Sequence, residues 1–192
     1  IETLHWHGKI LHCDVKPDNW ILIESVPKGG NQSITGTELM LVDFGRSIDL
    51  KTLVDKNKDP LEVRFQGNAI NPDMACIAIR EKRAWGCDVD TFGLCASSHV
   101  LLYGSYMDIE KKKDRWVPKK PLRRYWQRDL WGQFFDSLIN NNNDASHPNN
   151  IRKLREPFEN YLNEGSRRRE IESLLRHQEN LLPKRKTATG FS

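Results

Sequence analysis

Apolar residues in the first quarter of the chain come in short runs, and beyond it they recur at helical spacing. Trp20-Ile21-Leu22-Ile23 and Leu39-Met40-Leu41-Val42 are two runs of strand length. Residues 24–38 between them contain Pro27, Gly29, Gly30, Asn31 and Gly36, a turn-rich insertion that lengthens a hairpin. Residues 1–10 read as the end of a helix, with Leu4 and Ile10 on its apolar side and Gly8 loosening the last turn. In residues 86–103, Val89, Phe92, Ala96, Val100 and Tyr103 recur at helical spacing, and the remaining face is nearly as apolar. A helix apolar on most sides is a buried one. Residues 116–139 read as containing a helix with Trp126, Trp131, Phe134, Phe135 and Leu138 on its docking face, followed by a polar loop to Asn150. Leu154, Phe158, Tyr161, Leu162, Ile171, Leu174 and Leu175 predict two helices in residues 151–182, the first broken or started by Pro157.

The candidate chemistry sits beside the two strand-like runs. His12-Cys13-Asp14-Val15-Lys16-Pro17-Asp18-Asn19 fits H-x-D-x-K-x-x-N, the catalytic-loop pattern of protein kinases, and Asp43-Phe44-Gly45 is their metal-binding D-F-G. The four fixed letters of the first pattern arise by chance in roughly one chain in two thousand of this length. A lone D-F-G is far weaker, so the order and setting of the pair carry the inference.

Phosphoryl transfer asks that a hydroxyl, a γ-phosphate and magnesium be held in line while charge moves between oxygens. Asp14 is the carboxylate to orient a substrate hydroxyl and take its proton, and Lys16 the ammonium near the transferred phosphoryl group. Asn19 and Asp43 supply an amide oxygen and a carboxylate, hard ligands for Mg2+ and through it for ATP. Pro17 limits the freedom of the loop. His12, Gly45 and Asp88 are expected to support these groups from behind. Asp88, five residues before Gly93, fits the kinase D-x-W-x-x-G with Asp90 in place of tryptophan, which assigns Asp88 to bracing the loop backbone.

Composition narrows the setting. The 192 residues are 38% hydrophobic and 29% charged, which suits one globular domain. A net charge of +4 is too mild to argue for nucleic acid. The Trp-rich run among Arg123, Arg124 and Arg128 reads as core packing before a nucleic-acid stacking surface, and Arg167-Arg168-Arg169 as a solvated face. Cys13, Cys76, Cys87 and Cys95 form no C-x-x-C pair and no zinc spacing with the histidines, so they read as reduced thiols. His5 and His7 read as interfacial side chains, not ligands. No apolar run reaches the eighteen or so residues of a membrane span, and no signal-peptide pattern opens the chain. The Gly-rich phosphate clamp, strand lysine and helix glutamate of a kinase do not precede His12. The expected organisation is therefore a kinase C-terminal lobe over residues 1–182 without its N-terminal lobe. On its own it is expected to transfer phosphate poorly. Residues 183–192 follow as a basic, disordered tail carrying Pro183-Lys184-Arg185-Lys186.

Residues 53–90 contain no serine, threonine or tyrosine, leaving Ser47 and Thr52 as acceptors near the activation segment. Cys13 stands where many kinases carry the arginine that clamps an activation-loop phosphate, and a thiol makes no such bidentate contact. Activity is therefore expected to be independent of phosphorylation in this segment.

Taken with Asp43-Phe44-Gly45-Arg46-Ser47-Ile48-Asp49-Leu50, Tyr103-Gly104-Ser105-Tyr106-Met107 and Asp129-Leu130-Trp131-Gly132-Gln133-Phe134-Phe135, the catalytic loop resembles that of the Bub family of mitotic spindle-checkpoint serine/threonine kinases. The resemblance runs from His12 to about Leu182. It implies an α+β, mainly helical fold, the C-terminal lobe of the protein-kinase-like fold with a short β-hairpin at the catalytic loop. It also implies ATP-dependent phosphorylation of checkpoint and chromatin proteins at the kinetochore and centromere of chromosomes in the nucleus. Neither a membrane nor direct nucleic-acid binding belongs to this picture. One segment departs from the family: in Asn71-Pro72-Asp73-Met74-Ala75-Cys76-Ile77-Ala78 the structural glutamate is replaced by Asp73 or lost to Ala78, and the usual substrate-pocket threonine is missing. That departure favours the alternative of a pseudokinase or docking scaffold. The intact Asp14, Lys16, Asn19 and Asp43 favour the enzyme.

Overall fold

The computed structural model describes residues 1–24, 37–68, 72–140 and 148–181. Most of the turn-rich insertion, residues 69–71 of the departing segment, residues 141–147 of the polar loop and the basic tail lie outside the described residues.

The chain opens on a π-helical turn, Leu4–Gly8, closed by Lys9 in the left-handed conformation, so the turn ends one residue past Gly8. Strand β1 (Ile10–Leu11) follows, then the catalytic loop and a 3-10 turn, Pro17–Asn19, started by proline at its first position. β2 (Trp20–Glu24) and β3 (Thr37–Leu41) form the expected hairpin. β4 (Ile48–Asp49) returns antiparallel to β1, with Leu11 opposite Ile48 and Ile10 opposite Asp49. The segment beyond is irregular, with 3-10 turns at Leu50–Leu53 and Pro60–Glu62, started by Asp49 and Asp59 side chains accepting from backbone N–H groups. Phe65 and Trp85 exchange two backbone hydrogen bonds and stack their rings at 5.0 Å, closing this segment onto the chain that follows.

Helix α1 (Ile77–Arg80) is a single turn, and α2 (Asp88–Tyr103) is the central helix expected at residues 86–103. Phe92, Cys95 and Ala96 of α2 are fully or almost fully buried. Burying one side chain the size of phenylalanine stabilises by about 1.5–3 kcal/mol. Gly104 ends α2 in the left-handed conformation, φ +67°, which accounts for glycine inside Tyr103-Gly104-Ser105-Tyr106-Met107. The chain then reverses so that Met107 buries against Cys95, sulfur to sulfur 4.0 Å.

Residues 109–118 form a hairpin that the hydrophobic pattern does not announce, β5 (Ile109–Lys112) against β6 (Arg115–Pro118). Trp116 belongs to this strand, and α3 (Arg128–Ile139) begins twelve residues later. Asn140 ties the end of α3 to β6, accepting from Trp116 N at 2.7 Å and donating to Trp116 O at 2.8 Å. The aromatic run goes to packing: Trp131 meets Phe134, Phe135 and Phe158, with centroids 4.9–6.0 Å apart. Helix α4 (Pro148–Asn163) carries Pro157 in its interior, and the helix continues through it. α5 (Arg167–Leu181) completes the expected pair of C-terminal helices.

The described residues fall into two compact units, Ile1–Ile21 with Met40–Phe158, and Leu22–Leu39 with the residues from Glu159 onward. The first holds the hydrophobic core and the catalytic loop. In the second, Arg167 lies over the Tyr161 ring at 3.8 Å and pairs with Glu164 at 2.8 Å, while Arg168 pairs with Glu172 one turn on. The arginine run is thus an ion-paired face. Among the described residues no helix is long and apolar enough to cross a membrane.

Candidate catalytic site

Asp14 is held from several sides. Lys16 Nζ donates to Asp14 Oδ2 at 2.8 Å, and Asn19 Nδ2 donates to Asp14 O at 2.8 Å and to Oδ2 at 3.2 Å. Arg46 Nη1 stands 3.6 Å from Oδ1. Burial by itself raises the pKa of the Asp14 carboxyl, but the hydrogen bonds from Lys16 and Asn19 and the charges of Lys16 and Arg46 outweigh it and leave it below the usual carboxylate value. The same hydrogen bond raises the pKa of the Lys16 ammonium. Around neutral pH the site therefore holds a carboxylate beside a cation.

The D-F-G segment is tied to this loop at three points. Val42 N donates to Asn19 O at 2.9 Å, the His12 ring meets Val42 O through Nε2 at 3.1 Å, and the Phe44 ring packs edge-on against His12 with centroids 4.8 Å apart. Two bonds to Val42 bring the backbone of Asp43 beside that of Asn19. Asp43 sits at φ +66°, and its Oδ1 accepts from Gly45 N at 3.3 Å, the turn for which D-F-G needs a small third residue. His12 and Gly45 thus both touch the D-F-G turn, His12 at Val42 and Phe44 and Gly45 at Asp43. Asn19 spends its amide nitrogen on Asp14, which leaves its amide oxygen for a metal. Among the described residues no three His, Cys, Asp or Glu side chains gather as a metal site.

The loop backbone is braced by Asp90, and here the assignment of Asp88 is corrected. Asp90 is fully buried; its Oδ2 accepts from His12 N and its Oδ1 from Cys13 N, both at 2.7 Å. His5, also fully buried, gives Oδ2 a third partner through Nε2 at 2.8 Å. Asp88 lies at the start of α2, where its carboxylate accepts from Gly86 N at 2.6 Å and Cys76 Sγ at 2.9 Å. It fastens the turn that precedes the helix, and α2 turns Asp90 inward. The signal for Asp90 was present, because a carboxylate inside an almost wholly apolar helix must find donors. Nothing local marks His5, whose partner is 85 residues away.

Gly93 lets α2 lie against the loop: a Cβ there would stand 2.5 Å from Val15 O. Cys13 holds φ +61° between the bonds that Asp90 makes, and burial, then the charge of Asp90, pushes its thiol up to about 12. It is an inert thiol at neutral pH. In the departing segment Ala78 is buried in α1 among Ile77 and Ile79. Arg80 anchors the segment, donating to Ala75 O at 2.8 Å and Pro72 O at 3.0 Å. Two backbone carbonyls thus fasten this arginine to the departing segment.

The chain is similar to known checkpoint kinases. The mitotic checkpoint serine/threonine-protein kinase BUB1 of Arabidopsis thaliana is 34% identical over 174 residues, 84% of this chain and 32% of the relative. The chain is a relative of the Bub kinases. The spindle assembly checkpoint kinase bub1 of Schizosaccharomyces pombe is 33% identical over 181 residues, 84% of this chain and 17% of the relative. A crystal structure of the BubR1 kinase domain superposes with a TM-score of 0.70 at 30% identity, covering 94% of this chain and 49% of that one. The fold is thus the protein-kinase-like fold, α+β and mainly helical. No protein-family model matches. The chain spans about a third or less of the curated Bub relatives named here and about half of the solved domain.

Proposed function

We propose that residues 1–182 act as the catalytic-loop-bearing lobe of an ATP-dependent serine/threonine protein kinase of the spindle checkpoint. The observation that carries this is the Asp14, Lys16, Asn19 cluster tied through Val42 to Asp43. Asp14 accepts the proton of a serine or threonine hydroxyl as its oxygen attacks the γ-phosphorus of ATP and the bond to the ADP oxygen breaks. Lys16, held as an ammonium against Asp14, faces the migrating negative charge. Asn19 and Asp43 hold Mg2+, which when bound neutralises phosphate charge.

The checkpoint setting rests on the relatives' names, which call them mitotic or spindle assembly checkpoint serine/threonine kinases. Protein substrates at the kinetochore, and a place in the nucleus, are part of the same proposal. A docking scaffold without phosphotransfer is the competing reading, favoured by Ala78 in the departing segment.

The test is phosphate transfer from labelled ATP to a protein substrate by the full-length gene product and by its Asp14→Asn variant. Loss of transfer in a variant that melts like the parent supports the enzyme. Equal transfer by both ends the reading of Asp14 as the proton acceptor, and none by either leaves the scaffold.

A further inference from the structure

The two oxygens of the Asp14 carboxylate are not equivalent. Oδ2 takes the Lys16 ammonium at 2.8 Å and the Asn19 amide at 3.2 Å. Oδ1 faces Arg46 Nη1 at 3.6 Å, beyond hydrogen-bond length. Oδ1 is therefore the oxygen with room for a substrate hydroxyl, and Arg46 is the cation that hydroxyl must pass.

Asp14 and Arg46 also line a cavity of about 370 Å³, with Val15, Ile48, Trp85 and Val89 on its apolar walls. They are the charged residues among those lining it. Asp14 is held by Lys16 and faces the reacting hydroxyl, so the cavity's other charge is Arg46, 3.6 Å from Oδ1, and that charge is positive. The Arg46 side chain is 46% exposed.

We infer that Arg46 is a specificity-determining residue that selects serine or threonine acceptors directly flanked by aspartate or glutamate. This rests on the phosphotransfer reading of the same site. When the acceptor hydroxyl occupies Oδ1, the guanidinium turns to the neighbouring carboxylate, which its planar fork matches. A flanking lysine would instead bring a second cation against Arg46 between apolar walls.

The experiment uses the full-length protein, ATP and three peptides identical except for Glu, Gln or Lys beside the acceptor. kcat/KM is expected to favour the Glu peptide over the Gln peptide by about fivefold, the scale of one partly exposed ion pair, with the Lys peptide lowest. Arg46→Gln levels the three, and Arg46→Glu inverts the order so that the Lys peptide leads. An unchanged order in Arg46→Glu overturns the inference. So does an equal loss on all three peptides in Arg46→Gln, which would assign the arginine to the transferred phosphoryl group. If the wild-type ranks the peptides alike while still transferring phosphate, specificity fails and the kinase reading stands. No transfer to any peptide or protein hydroxyl removes both. Should Arg46→Glu fail to fold, the wild-type ranking and the levelling in Arg46→Gln decide.

Discussion

Gly93 lies so close to Val15 that a methyl group on its α-carbon would stand 2.5 Å from the Val15 carbonyl oxygen and 2.7 Å from Val15 Cβ. The neighbouring atoms belong to backbone and a branched side chain, which cannot turn aside. Gly93→Ala therefore forces α2 and the catalytic loop apart. The expected cost is about 1–3 kcal/mol, read from urea melts, with phosphate transfer falling further than stability does because Asp14 precedes Val15.

Asp90 and Asp88 separate in the same kind of measurement. Asp90→Ala strands two loop N–H groups and a buried His5, and is expected to cost about 3–5 kcal/mol. Asp88→Ala removes the acceptor of Gly86 N at the half-buried start of α2 and is expected to cost about 1 kcal/mol. Equal shifts in the two midpoints would contradict this division.

The pH dependence follows from the direction of the Asp14 shift. Its folded pKa lies below the ordinary carboxylate value, so the stability from this charged form is present above the unfolded pKa and lost as pH falls through the folded one. Lys16→Met removes a hydrogen bond and a charge that oppose burial, so the Asp14 pKa must rise. The acid limb of the kcat/KM profile is expected to move to higher pH in that variant.

Ser47→Ala with Thr52→Ala tests independence from phosphorylation. Ser47 Oγ faces His12 O at 3.5 Å, and Thr52 Oγ1 donates to Asp49 O at 2.7 Å, local contacts that alanine loses cheaply. The double variant is expected to keep its rate within about twofold. A collapse in rate would show that one of these hydroxyls is a phosphorylation switch.

Gly104→Ala isolates a backbone effect. Nothing stands within 4 Å of a Cβ there, but φ is +67°. The expected loss is about 1 kcal/mol by thermal melt, from conformation alone.

Where function needs a local string of residue types, the sequence was legible. The catalytic loop, the D-F-G turn, the hairpin strands and the buried helix all showed as spacing or as runs. The β5–β6 hairpin did not, because Ile109–Lys112 is mostly charged and its partner strand mixes Trp116 and Val117 with Arg115 and Pro118. Pro157 read as a break because proline removes one helical hydrogen bond, yet the apolar positions Leu154, Phe158, Tyr161 and Leu162 keep one helical period across it. In the site, the contacts of Asp14 with Lys16 and Asn19 lie within five residues, but those of Asp90 with His5, His12 and Cys13 span 77 to 85. Only the fold brings such partners together. The motif placed the brace two residues early because its five-residue spacing to Gly93 selects Asp88, whereas helical rotation turns Asp90, three residues before Gly93, to the loop.

The attachment of the loop to Asp90 has a thermal consequence. Because the Asp14 loop hangs from the most buried helix of its unit, heat cannot loosen that loop while the helix stays docked. Inactivation and global melting should then share one midpoint, and no warm, folded but silent state should separate them.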